Sequence, residues 1–224
     1  MDIGTKYIPN LSIENIGSKK KPLHVIKGFV ELPCWNGYFL YDDSYKLVKS
    51  KVITNGRITL WVDGLITADN NMEFTAEQVH AYSYLIQQQE SIKSAILQGL
   101  KAEFPNLLDD EYGSWDTDAP DFPKLSELTE SFDFKDFIGP DSITIGEDVK
   151  EESAYLSWHF RSRWDVEHGF EVITHKDRLV SISLDPDPWK IYMDNGTYEQ
   201  ELKAYNERMK VPKAAKRKKW WQFW

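Results

Sequence analysis

The 224-residue sequence contains one cysteine, Cys34. An internal disulfide framework is thereby excluded, and a reducing compartment is the expected setting. Long apolar runs are also missing, since nothing approaches the ~18 consecutive apolar residues of a spanning helix. The opening stretch MDIGTKYIPNLSIENIGSKKKPLHV has no apolar h-region. No secretory signal is therefore expected, and the expected location is cytoplasmic. The P-loop, G-x-G-x-x-G, G-x-S-x-G, H-E-x-x-H and C-x-x-C patterns are all absent, so no cofactor is expected and no familiar enzyme class is indicated. A basic excess is lacking as well. The formal net charge is −9, which argues against nucleic acid as a partner, because phosphate contacts need clustered Lys and Arg.

What is present is aromatic and unevenly charged. Phe, Trp and Tyr make up 14% of the chain, enough to dominate a core. The window Glu103–Asp136 carries eleven acids against two lysines, while Lys203–Trp224 carries eight basic residues against one acid, Glu207. An acidic middle and a basic end of this kind govern partner choice and association rate more than fold.

Periodicity places the elements. His24–Leu32 reads as a strand, and Asn36–Gly37 as an N-G hairpin turn before the apolar run Tyr38–Tyr41. Gly56–Gly64 alternates Ile58, Leu60 and Val62 against Thr59, Trp61 and Asp63, the period of a strand. Thr75 and Gln78 form a capping-box pair, with Phe74 and Val79 as a hydrophobic staple, at the head of a long amphipathic helix ended by Pro105. The polar QQQE within it marks a bend or a join of two helices. Strands resume at Asp141–Glu147, Ala154–Trp164, Gly169–His175 and Arg178–Leu184; DPDPW interrupts, and a short amphipathic helix carries Tyr198, Leu202, Tyr205 and Met209 on one stripe. The expected fold class is α+β, a mostly antiparallel sheet covered by one long amphipathic helix, with a C-terminal helix and a basic–aromatic tail. The expected layout is a flexible lead-in over 1–22, one domain over 23–210 with an acidic loop insertion at 105–140, and the tail at 211–224.

The stretch WDVEHG, Trp164–Gly169, admits two readings. Asp165, Glu167, His168 and His175 are a donor set suited to a transition metal or to acid–base chemistry, with His159 on a neighbouring strand. Alternatively the stretch is the tight end of a hairpin, with Gly169 supplying positive φ and Asp165 bonding backbone N–H groups. Alternation along a strand sends neighbouring side chains to opposite faces, which favours the hairpin. The helix with Gln78, Ala81 and Tyr82, followed by a hairpin with Trp164, Asp165, Glu167, His168, Gly169, Val172 and His175, resembles a bacterial family of unknown function. In that family a Q-x-x-A-Y helix precedes a W-D-x-E-H-G hairpin. The resemblance covers roughly Val25–Leu184; Arg161–Arg163 and Glu171 depart from its pattern. It implies a loose association with toxin-immunity proteins.

Three surfaces are candidates for binding. Asp109, Asp110, Glu111, Trp115, Asp116 and Asp118 interleave acid with aromatic residues, as a surface for a basic protein such as a toxin domain requires. Arg161 and Arg163 share one side of a strand and suit acidic groups on a partner. Lys216, Arg217, Lys218 and Lys219 precede Trp220, Trp221, Phe223 and Trp224, a composition for weak attachment to an anionic membrane, peripheral at its inner face, or for docking to a protein. The favoured function is a non-enzymatic protein-binding module, an immunity protein that occludes a toxin. The alternatives are a metal-dependent enzyme and a membrane adaptor.

Overall fold

The computed structural model describes residues 7–40, 52–108, 132–163, 169–184 and 186–210. They fall in two compact units, 1–187 and 188–224.

The larger unit is built on a seven-stranded sheet. Its strands are β1 Leu11–Asn15, β2 His24–Glu31, β5 Arg57–Val62, β8 Ile138–Lys150, β9 Ser153–Ser162, β10 Phe170–His175 and β11 Arg178–Ser183, ordered β1-β2-β5-β8-β9-β10-β11. Every pairing is antiparallel except β5 with β8. Two small ribbons lie outside it, β3 Phe39–Leu40 with β4 Val52–Ile53, and β6 Leu65–Ile66 with β7 Met72–Glu73. The mostly antiparallel α+β fold is thus as the sequence indicates. The expected lead-in differs, because β1 pairs along β2 and Ile8 is fully buried.

The helix that covers the sheet is two helices, α1 Ala76–Gln87 and α2 Gln89–Leu108. Thr75 caps α1, and the reciprocal capping box with Gln78 is formed. Gln88 leaves helical geometry at φ −116° and ψ 23°, so the join falls inside QQQE. A short 3-10 turn, Pro33–Trp35, fastens the join. Cys34 N–H donates to Gln89 Oε1 at 3.1 Å, and Lys93 Nζ donates to the Cys34 carbonyl at 3.1 Å. Pro105 does not end α2, which continues to Leu108. Near a helix end the N–H that proline lacks removes only one bond.

The Asn36–Gly37 pair marks a turn of another kind from the one expected. Asn36 sits at φ −59°, ψ 130° and Gly37 at φ +83°, and Tyr38 N–H donates to the Trp35 carbonyl at 3.2 Å. That is a type II turn leaving the 3-10 segment, not a two-residue hairpin loop. The apolar stretch after it pairs with β4.

One face of the sheet buries the core. Ile26 and Val30, Ile58, Leu60 and Val62, Ile143 and Ile145, Leu156, Trp158 and Phe160, and Val172 join Ala81 and Leu85 of α1 and Ile92, Ile96 and Leu100 of α2. Trp158 Nε1 donates to Thr174 Oγ1 at 3.0 Å inside this layer, which satisfies the indole N–H. Phe134 is also buried, and Phe132 and Phe137 pack against the core. Phe132 and Phe134 of the acidic window, and Phe137 directly after it, are therefore structural anchors.

The smaller unit contains α3 Trp189–Asn195 and α4 Tyr198–Lys210. The sequence indicates only the second helix, because the prolines of DPDPW read as a break. Pro188 instead precedes α3 as its cap residue, and Gly196 closes the helix at φ +79°.

Candidate functional site

The site begins with strand alternation. The core-facing residues of β2, β5, β8, β9 and β10 leave their neighbours on the opposite face of the sheet. The register Lys27–Trp61–Thr144–Ser157 crosses that face, as does Phe29–Thr59–Ser142–His159–Glu171. Towards β10 the face is closed, with Tyr155, Ile173 and His175 buried. Over β2 and β5 it is half-exposed.

On the half-exposed part, aromatic rings carry cations. Lys27 Nζ lies 4.7 Å from the centre of the Trp61 ring, and the Arg57 guanidinium carbon lies 3.6 Å from the centre of the Phe29 ring. Each pair orders a long side chain that would otherwise be mobile, at about 0.5–1 kcal/mol where exposed. A groove of about 440 Å³ opens beside Trp61, lined among others by His24, Asp63, Ile66 and Glu147. Burial pushes the Asp63 carboxyl above the ordinary carboxylate range, and the charges of Glu147 and Asp148 push the same way.

The other border of the face is polar. Arg161 Nε donates to Asp141 Oδ2 at 3.2 Å, and His159 Nδ1 lies 3.6 Å from the same oxygen. Asp141 is held below the ordinary range by its hydrogen bond with His159, then by the nearby Arg161 charge, against the opposing effect of burial. Glu171, cross-strand from His159, is pushed up by burial, and His159 partly offsets this. Acid and base are thus interleaved along one side of three strands, as in a recognition surface that fixes register by charge.

The expected site residues are placed unevenly. Arg161 lies in this cluster, engaged with Asp141. Arg163 is exposed just beyond β9, where its N–H donates to the Phe137 carbonyl at 2.8 Å. His175 is buried, with Nε2 2.8 Å from the Lys150 carbonyl and its ring 4.9 Å from that of Tyr155. A carbonyl only accepts, so Nε2 carries the proton there. His175 stands at the opposite end of β10 from Gly169, six positions or roughly 20 Å along the strand. Asp165, Glu167 and His168 lie outside the described residues, as do Asp109, Asp110, Glu111, Trp115, Asp116, Asp118 and the tail from Lys216 to Trp224. Among the described residues no three of His, Cys, Asp and Glu gather to hold a metal ion.

Several residues of the helix and hairpin pattern do structural work. Gln78 is buried and binds the carbonyls of Asp63 and Gly146 through Nε2 at 2.8 and 3.1 Å. Ala81 and Val172 are in the core. Gly169 sits at φ +71°, and a Cβ there would come within 2.1 Å of the Phe160 carbonyl oxygen. Only glycine fits such an approach. The polar border itself, Asp141 with His159, was not singled out from sequence. Its signal is faint: Asp141 lies in an irregularity between Pro140 and Ser142 that no simple alternation announces.

Residues 36–186 match a known domain family, the domain of unknown function DUF6985. The chain belongs to that family. The match spans the strands from β3 to β11 with α1 and α2, so the polar border and the β5 side of the half-exposed face lie within it, while β2 with Lys27 and Phe29 lies before it. No curated protein and no solved structure matches the chain.

Proposed function

We propose that this DUF6985 protein is a non-enzymatic binding module that occludes a protein partner, of the toxin-immunity kind, through the half-exposed part of the sheet face opposite α1 and α2. The observation that carries the reading is the face itself, where Trp61 and Phe29 are held flat under Lys27 and Arg57 beside the Asp141–Arg161 pair. Aromatic residues and Arg are the groups that carry binding energy at protein interfaces, and ordering them before contact lowers the entropy lost on binding. The acidic window, with Asp109, Asp110, Glu111, Asp116 and Asp118, adds attraction for a basic partner such as a toxin domain.

The test has two stages. The tagged full chain is used to capture a partner from its native cell at low and high salt, and the complex is then rebuilt from the two purified proteins and titrated by calorimetry. A one-to-one complex is expected, with affinity lowered at least about tenfold by Trp61→Ala combined with Arg57→Ala. Failure to rebuild a stoichiometric complex overturns the reading. Unchanged affinity in the double variant overturns the role of the face.

A further inference from the structure

The smaller unit is organised around one ring. Trp189 meets Tyr192, Tyr198 and Tyr205 edge-on, at centroid distances of 5.6, 5.8 and 5.6 Å. Tyr198, Leu202, Tyr205 and Met209 follow one stripe of α4, spaced by four, three and four residues. Cover along this stripe is lower in its second half. Tyr198 and Leu202 are half-buried, Tyr205 is 43% exposed and Met209 is 67% exposed. Met193 of α3 is 55% exposed. The apolar stripe is thus least covered at the end nearest Lys210.

Charge changes in the same direction. Within α4 the charges balance, Glu199, Glu201 and Glu207 against Lys203, Arg208 and Lys210. Beyond it, residues 211–224 hold Lys213, Lys216, Arg217, Lys218 and Lys219 with no acid, followed by Trp220, Trp221, Phe223 and Trp224. An apolar stripe exposed at its last members, Tyr205 and Met209, and followed in sequence by cations and tryptophans has the composition of a surface that lies in the headgroup region. A basic run of this length is attracted to anionic lipid specifically. No helix among the described residues is long and apolar enough to cross a membrane.

We infer that the unit from Pro188 to Trp224 is a peripheral anchor for an anionic phospholipid surface. The Tyr205–Met209 end of α4 provides the apolar contact and Lys216–Lys219 the electrostatic one. This goes beyond the partner-binding role of the sheet and does not depend on it.

The test is vesicle sedimentation of the pure full chain. One set of vesicles is neutral phosphatidylcholine; the other contains phosphatidylserine as well. Pelleting with the phosphatidylserine vesicles, little with neutral ones, and release on raising salt are expected. Replacing Lys216, Arg217, Lys218 and Lys219 together by Gln lowers lipid affinity on the order of a hundredfold. Tyr205→Ser with Met209→Ser lowers it several-fold with the basic run intact, and circular dichroism checks that α4 persists. No pelleting with anionic vesicles, equal pelleting with neutral ones, or full pelleting of the glutamine variant each overturns the inference. Full pelleting of the serine variant overturns the role of α4.

Discussion

Gln78 Nε2 donates to the carbonyl of Asp63 at 2.8 Å, and Gln78 Oε1 accepts from Thr75 N–H at 3.0 Å. One buried side chain thereby starts α1 and ties it to the end of β5. Replacing it with Leu keeps the volume but leaves the carbonyls of Asp63 and Gly146 and the Thr75 N–H without that partner. The expected loss is about 2–4 kcal/mol, read as a lower urea midpoint at unchanged slope. Glu at the same position restores the cap but not the carbonyl bonds, and an intermediate midpoint is expected.

Thr174→Val is a second probe of a buried bond. The change is nearly isosteric but deprives Trp158 Nε1 of its acceptor in the core. A loss of about 1–3 kcal/mol is expected in thermal or urea unfolding. A value near zero would show that the indole N–H finds another partner.

The polar border makes opposite demands on pH. The Asp141 carboxyl is held below its ordinary 3.8, so its ionised form favours folding. That contribution is complete above the unfolded value and is lost as pH falls through the lower folded one. Glu171 is raised above its ordinary 4.5, so its ionised form opposes folding at neutral pH, and acidification relieves the cost. Asp141→Asn is therefore expected to lower the melting temperature at pH 7, with the deficit shrinking as pH falls below the ordinary carboxylate range. Glu171→Gln is expected to raise it at pH 7 and to lose that advantage as pH approaches 4. Melting curves of both variants between pH 3 and 8 check the signs.

Cys34 should be inert. Its thiol is buried beside Gln89 and pushed up to about 12, chiefly by burial. Thiolate is the reactive species, so a disulfide-exchange reagent should label the native chain far more slowly than the chain in guanidinium. Equal rates in the two would show that the 3-10 turn opens readily.

Legibility from sequence followed the range of the interaction. The Thr75–Gln78 cap and the Ile58–Leu60–Val62 alternation are local, and both stand in the structure as read. The break at Gln88 was visible as polarity, but its cause, the tie to Cys34, joins residues 55 positions apart. The Asn36–Gly37 dipeptide marks the turn but not its type, because it fixes a positive φ and not which strands it connects. Leu11–Asn15 has no apolar surplus and is a strand because β2 offers it an edge. The polar border was least visible, since Asp141, His159 and Glu171 come from three strands and meet only once the register is set.

The parallel pairing of β5 with β8 has a kinetic consequence. On one side of this seam lie β1, β2 and β5; on the other, β8 to β11 form a meander of neighbours in sequence. Each strip can form from contacts close along the chain. Joining them brings Thr59 to Ser142, which closes a loop of about 80 residues. Seam closure is then the expected slow step of folding, ahead of the local hairpins. Substitutions across it, such as Leu60→Ala or Ile143→Ala, should act mainly on the refolding rate, whereas changes at the Lys176–Asp177 tip should act mainly on unfolding. Stopped-flow refolding of those variants distinguishes a molecule that zips from one edge from a molecule that is hemmed shut along its middle.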